Sequence, residues 1–358
     1  MSRLPPDDDA SPIRDHVSTV ITPADPEDLL SRALLGDEAA FAGVVGPYER
    51  SLFRHCYRMM GSGPDAEEAL QDTLLRAWRR LETFDASGAL GAWLYRIATN
   101  VCLDALQSRR ARIDPVSLGR ANVLGTGPTA PEPELNWVEP VADADLTGPG
   151  DPQSEILRRE DISLAFVAAL QRLAPRQRAC LLLHDVLGFT HAEVAEALGM
   201  SAASVNSLLF RARQAVRPRD EGTSLDISDP RVQDLLTRYL EAWRLADVDA
   251  FVALVAEDIR FSMPPLRAWF EGVAAVGQFV EQAIFSVARP YGVTLRSGRC
   301  NGQPAFAVYQ PGPDGDLVAA GLQILTIGER NGQARVLEIV SYRIPDLAAR
   351  SGLPDRIG

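Results

Sequence analysis

Residues 173–217, LAPRQRACLLLHDVLGFTHAEVAEALGMSAASVNSLLFRARQAVR, carry the pattern that decides the fold. Pro175 is placed to start a helix whose apolar positions include Ala179, Leu182, Leu183 and Val186, and Gly188 ends it. Thr190 then caps HAEVAEAL, with Glu193 at the capping-box position. Gly199 to Ser201 make a tight turn, and Ser201 caps AASVNSLLFRARQAVR. A short helix, a Gly-containing turn and a second helix with small polar residues at its start predict a helix-turn-helix. On the second helix Ala203, Ser204, Asn206 and Ser207 face outward at the N-terminal end, where base edges are met. Val205, Leu208, Leu209 and Ala212 turn inward, leaving Arg211, Arg213, Arg217 and Arg219 to reach phosphates. A helical hairpin inside an ordinary core is the plainer alternative; the caps and the charge pattern favour DNA.

Two further helical blocks precede this one. In SGPDAEEALQDTLLRAWRRLETF (62–84), Asp65 or Ser62 is expected to cap a helix, with Glu68 as the capping-box partner of Asp65. Ala66, Leu70, Thr73, Leu74, Ala77 and Leu81 form its inner stripe, and Glu67, Gln71, Asp72, Leu75, Arg76 and Arg79 the outer face. An exposed leucine among charges of both signs suits a docking face as well as a solvated one. In GAWLYRIATNVCLDALQSRRAR (91–112), Trp93, Leu94, Ile97, Ala98, Val101 and Ala105 recur at helical spacing. The stretch ends in Arg109, Arg110 and Arg112, which either complement the helix dipole or face an anion.

The chain of 358 residues carries net charge −12 and is 46% hydrophobic, enough for two or three folded units. Its charge is partitioned: residues 130–161 hold nine acidic groups against two arginines, whereas 203–219 holds four arginines and no acid. An acidic total therefore does not exclude local nucleic-acid binding. No lysine occurs anywhere, so a single arginine weighs less than usual as a phosphate contact. Cys56, Cys102, Cys180 and Cys300 lie far apart in apolar contexts, expected as reduced core residues. No metal cluster, cofactor motif, membrane span or signal segment is visible, and a cytosolic protein is expected.

The organisation follows. Residues 1–26 lack apolar periodicity and are expected to be disordered; 27–112 is a helical domain; 113–153 is a Pro-, Gly- and acid-rich linker. Residues 154–219 hold the helix-turn-helix. A third domain, 229–350, opens with helices and continues with strands and Gly-rich turns (IRFSMP, VTLRSGRCNGQPAFAVYQ, LVAAGLQILTIGERNGQARVLEIVSYR), an α+β pattern. Within the linker, NWVEP (136–140) carries Trp137, a costly residue to leave in water.

With these motifs in view, the chain resembles a bacterial extracytoplasmic-function sigma factor of the sigma-70 family. DAEEALQDTLLRAWRRLETF resembles that family's region 2.2, which implies contact of Glu68, Gln71, Asp72, Leu75 and Arg76 with the β′ clamp of core RNA polymerase. GALGAWLYRIATNVCLDALQSRRAR resembles regions 2.3 and 2.4, which implies promoter melting and −10 recognition by Phe84, Trp93, Arg96, Asn100, Arg109 and Arg110, with the loop 85–90 beside an unstacked base. Residues 166–217 resemble region 4, which implies −35 recognition by Ala203, Ser204, Asn206, Ser207, Arg211 and Arg213, and a contact with the β flap. The loop ETFDASGALGAW departs from the family in lacking basic residues before the tryptophan. The expected architecture is thus multidomain: two all-α domains and a C-terminal α+β cone.

That last domain is similar to SnoaL-like members of the NTF2 fold, through LLTRYLEAWRLADVDAFVALVAEDIRFSMPP and AWFEGVAAVGQFV. Some members of that fold are enzymes, but this domain has no histidine, and Asp258, Glu271 and Glu338 fall at strand or helix edges. Met263, Trp269, Phe270, Phe279, Phe285 and Phe306 are expected as core. The expectation is therefore a non-enzymatic regulatory domain, with no catalytic residues and no metal. A small-molecule ligand or an anti-sigma protein is a further candidate partner, while no membrane is expected. Trp137 is expected to dock on the cavity rim or on a helical domain, holding the acidic linker near the DNA-reading arginines. Two other functions stay open: a one-component helix-turn-helix regulator with a ligand-sensing domain, and a SnoaL-like enzyme with an accessory DNA-binding part.

Overall fold

The computed structural model describes residues 26–85, 88–108, 112–114, 120–122, 136–147, 162–216, 225–290, 292–313 and 315–357. Expectations about the N-terminal extension and about Arg109, Arg110, Arg217 and Arg219 lie outside the described residues. The chain divides at Gly46 into two compact units. The first contains α1 (Pro26–Leu34) and the opening turns of α2 (Glu38–Met60). Asp37 caps α2 by accepting from the Ala40 N–H at 3.0 Å. That bond, and then the Arg32 guanidinium, hold its carboxyl below the usual range.

In the second unit α2 continues to Met60, and every residue from Ser51 to Ser62 is buried. Beside it lie α3 (Gly63–Arg79) and α4 (Leu90–Ser108). The stripe of α4 is as expected for Leu94, Ile97, Ala98 and Val101, with Trp93 and Ala105 half-buried. The expected capping box of α3 does not form. Ser62 is the N-cap residue but makes no side-chain cap; its buried hydroxyl donates to Glu139 Oε2 at 3.3 Å. Asp65 lies inside the first turn and instead accepts from Arg112 at 2.6 Å, a pair that ties the end of the helical domain to its α3.

The helix-turn-helix forms as its caps dictate. After α5 (Asp143–Leu146) and α6 (Leu164–Gln171) come α7 (Pro175–Leu181) and a π-type turn to Val186. Helix α8 (His191–Leu198) carries the reciprocal Thr190–Glu193 box and ends at Gly199 in the left-handed region. Ser201 accepts from the Ser204 N–H to open α9 (Ala202–Ala215).

The C-terminal domain comprises α10 (Pro230–Leu245), α11 (Val248–Val252), α12 (Val273–Phe279), α13 (Ser286–Ala288) and α14 (Asp346–Arg350) around one sheet. Its strands are β1 (Val255–Ser262), β2 (Trp269–Glu271), β3 (Thr294–Cys300), β4 (Gln303–Pro311), β5 (Leu317–Arg330), β6 (Gln333–Tyr342) and β7 (Arg356–Ile357). The order is β2-β1-β6-β5-β4-β3, with β7 on β5 and only the β1–β6 pair parallel. Two-residue Asn-Gly turns, 301–302 and 331–332, close β3–β4 and β5–β6 with positive φ throughout, the backbone that hairpins of this length require.

The interior of the domain is filled by aromatic rings. Trp243 packs edge-on against Phe285 at 5.2 Å, Tyr239 stacks on Phe306 at 5.5 Å and Phe270 on Phe279 at 4.3 Å. Met263 and Trp269 are buried with them. Of the three carboxylates weighed as acids or bases, Glu338 pairs with Arg260 at 3.6 Å, Asp258 lies 3.5 Å from Arg330, and Glu271 is exposed.

The described parts of the connecting segment, 113–114, 120–122 and 136–147, form a strap on this sheet. Asn122 exchanges two hydrogen bonds with Trp269 on the outer strand β2, at 2.7 and 2.9 Å, and Ala142 pairs with Cys300 on the opposite outer strand β3. Between them Trp137 is buried and bridged to Ile113. The residues after Trp137 bond to both neighbours: the Val138 carbonyl accepts from the Tyr342 hydroxyl of β6, and that of Glu139 from the Tyr57 hydroxyl of α2, each at 2.8 Å. One expectation is corrected here. Among the described residues, the strap carboxylates Glu139 and Asp143 pair with arginines of the C-terminal domain, Arg350 and Arg299, rather than with DNA-reading arginines.

Candidate nucleic-acid interface

Helix α3 presents Glu68, Gln71, Asp72 and Leu75 to solvent on one face, because its small residues Ala66, Ala69, Thr73 and Ala77 fill the opposite face. Leu75 is 46% exposed, unusual for a large apolar side chain. Arg76 is half-buried and pairs with Asp104 of α4 at 2.7 Å.

Around the end of α3 and the start of α4, Arg76, Arg80, Thr83, Trp93, Arg96 and Asn100 line a cleft of about 100 Å³. Phe84 lies against Trp93, ring centroids 5.4 Å apart. The cleft combines what an unstacked nucleotide needs, an aromatic wall and three guanidinium groups. Two of those cations are occupied: Arg76 by Asp104, and Arg96, whose Nη1 donates to Glu196 of α8 at 2.6 Å. Asn100 donates to the Arg96 carbonyl at 2.9 Å and to Ala197 of α8 at 3.5 Å. The sequence places Arg96, Asn100, Phe84 and Trp93 together, as expected; it gives no sign of Glu196.

On α9 Ala203, Ser204, Asn206 and Ser207 are exposed, while the Ser204 hydroxyl is shared with Ser201 at 2.9 Å. Arg211 folds back on the Ser207 carbonyl at 3.3 Å. Arg213 is clamped by both oxygens of Asp185, at 2.9 and 2.5 Å. Phe210, 65% exposed one turn from Asn206, belongs to the same surface and was missed because an apolar residue on a helix is first counted as core.

The two helical domains are joined at the end of α2. Gln171 donates to the Arg58 carbonyl at 3.1 Å, and the guanidinium of Arg178 bonds Met59 of α2 together with Leu170, Gln171 and Leu173. Gly61, φ +75, allows this approach, since a Cβ there would meet Gln171 Cδ at 2.8 Å.

Comparison with known proteins identifies these three domains. Residues 44–112 match the sigma-70 region 2 family, 163–216 the sigma-70 region 4 family and 236–341 the SnoaL-like domain family. The chain is 42% identical to the ECF RNA polymerase sigma factor SigG of Mycobacterium tuberculosis over 88% of its length and 85% of that protein's. The chain is an extracytoplasmic-function sigma factor. It is also 31% identical to SigJ of M. tuberculosis, over 84% of this chain and 90% of SigJ. The crystal structure of SigJ superposes with a TM-score of 0.55 at 25% identity, covering 87% of this chain and all of the other. Like its family, this sigma factor binds core RNA polymerase and directs it to promoter DNA for initiation. Among the described residues no helix is long and apolar enough to cross a membrane.

Proposed function

We propose that this sigma factor is held in a closed arrangement by its C-terminal domain, and that polymerase or a ligand must open it before promoter recognition. The observation that carries this is the 2.6 Å ion pair between Arg96 of the −10 domain and Glu196 of the −35 domain. The two promoter elements lie 25 base pairs apart, roughly 85 Å of duplex at 3.4 Å per pair. Helices in direct contact do not read both at once. Extended at about 3.3–3.6 Å per residue, residues 113–161 are long enough to span that distance once released. The C-terminal domain then acts as a non-enzymatic regulator in the cytoplasm, where polymerase works. Polymerase itself supplies the geometry, holding both domains at fixed spacing and raising their effective concentration on DNA.

In this reading Glu68, Gln71, Asp72, Leu75 and Arg76 meet the β′ clamp. Asp72→Arg reverses a charge at the centre of that face without touching the buried side of α3. The expected result is roughly tenfold weaker binding to core polymerase, the effect of about 1.4 kcal/mol, with unchanged circular dichroism. Unaltered affinity in a titration of core enzyme removes the assignment.

Asn206 and Ser207 meet −35 base edges, and Arg211 and Arg213 the phosphates. Run-off transcription with core polymerase on several promoters separates the two roles. Asn206→Ala is expected to alter the ranking of promoters, by roughly 1–3 kcal/mol at one base position. Arg211→Ala is expected to lower all of them together and to flatten the salt dependence. If both variants depress every promoter equally, Asn206 is not a reader of bases.

A further inference from the structure

The β3–β4 connection is the two-residue turn Asn301-Gly302, with φ +54 and +70. Asparagine at such a tip supplies the left-handed backbone and points its amide to water. Here Asn301 is fully buried. Its Oδ1 accepts from the Val141 N–H at 2.9 Å, and its own N–H donates to the Val141 carbonyl at 3.1 Å. Its Nδ2 donates to the Tyr57 hydroxyl at 2.9 Å and to the Ile162 carbonyl at 2.7 Å. Tyr57 belongs to the −10 domain, Val141 to the strap, and Ile162 stands two residues before α6 of the −35 domain. The neighbours extend the junction: Gly302 N–H donates to Asp143 at 2.7 Å, and Gln303 accepts from the Leu164 N–H at 2.8 Å.

We infer that the Asn301-Gly302 tip is the latch of the closed arrangement, a place where the C-terminal domain grips the strap and both DNA-reading domains together. The inference rests on the closed-state reading above. Its energetic logic is one-sided. In the closed form the Val141 N–H and the Ile162 carbonyl are satisfied by this amide, and without it they are buried orphans. In an opened form both are hydrated. Removing the amide therefore penalises the closed form alone, and the balance shifts by that difference.

The test uses the full-length chain. Asn301→Gly keeps the left-handed backbone and deletes the three side-chain bonds. Asn301→Asp keeps the turn and the acceptor for Val141 but sets a carboxylate oxygen against the Ile162 carbonyl. Tyr57→Phe removes the hydroxyl from the other side. Melting curves establish that each variant folds; where Asn301→Gly does not, the other two carry the test. Hydrogen exchange of peptides spanning 136–147 is expected to quicken roughly tenfold in both Asn301 variants, and less in Tyr57→Phe. Run-off transcription at limiting core polymerase is expected to rise with it. Unchanged exchange in the Asn301 variants overturns the latch and leaves the regulatory reading standing. Faster exchange with unaltered transcription supports the latch as a structural joint and overturns the regulatory reading.

Discussion

Arg178→Leu is expected to destabilise the protein by about 3–5 kcal/mol, the largest effect of any single substitution considered. Arg178 is 2% exposed. All five of its N–H groups are nonetheless used: on the carbonyls of Leu170, Gln171, Leu173 and Met59 and on the Gln171 side chain. Those carbonyls sit at the C-terminal ends of α6 and α2, where a helix presents unpaired oxygens and negative partial charge. The guanidinium thus caps one helix in each DNA-reading domain. Burial lowers its pKa to about 10, still charged at neutral pH. Leucine fills part of the space but takes the side-chain donor from the carbonyls of Met59, Gln171 and Leu173, while that of Leu170 keeps the Leu173 N–H at 3.0 Å. Arg178→Lys, a compact cation with three donors, recovers only a fraction. Urea unfolding followed by circular dichroism measures both; a midpoint unchanged in Arg178→Leu shows that water or another donor replaces the fork.

Acidification from pH 7 to pH 5 is expected to remove about 2 kcal/mol through His55 alone. His55 is buried on α2, and its Nε2 lies 2.9 Å from the Thr99 hydroxyl. That hydroxyl spends its proton on the Tyr95 carbonyl at 2.7 Å, so Nε2 is the protonated ring nitrogen and donates. Burial first, and then the charge of Arg58, lower the imidazole to about 3. The unfolded chain takes up the proton near 6.5, the folded chain does not. Stability therefore falls as pH drops below 6.5 and keeps falling towards 3. His55→Gln retains a donor for Thr99 and cannot titrate, so its urea midpoint is expected to lose less between pH 7 and pH 5 than the parent's. Equal losses in the two proteins assign the slope to other groups.

Much of this was legible in the chain because the signals are local. Thr190 with Glu193, Gly199 and Ser201 specify the helix-turn-helix within a dozen residues, and the caps form as read. The small residues of α3 specify its buried face and so leave Leu75 outside. The aromatic residues of the third domain announce a core, and the Asn-Gly pairs its hairpins. The isolated tryptophan of an acidic segment announces a docking site, since its apolar surface repays burial. Where local reading failed, a longer-range partner won: Asp65 gave up capping α3 for a bidentate arginine 47 residues away.

Caps, periodicities and turn chemistry, which act over four or five residues, determined by themselves which segments are helix and which are strand, and most of the faces that turn outward. The contacts between the domains were decided only by tertiary structure. The bond from Arg96 to Glu196 spans 100 residues, those from Asn301 span 139 and 244, and α2 owes its burial to packing from several segments at once. No spacing rule links such residues, because their distance depends on how whole domains dock. Asn301 shows the division within a single residue: its backbone makes a turn that the dipeptide specifies, while its amide grips three segments that only the docked domains bring within 3 Å.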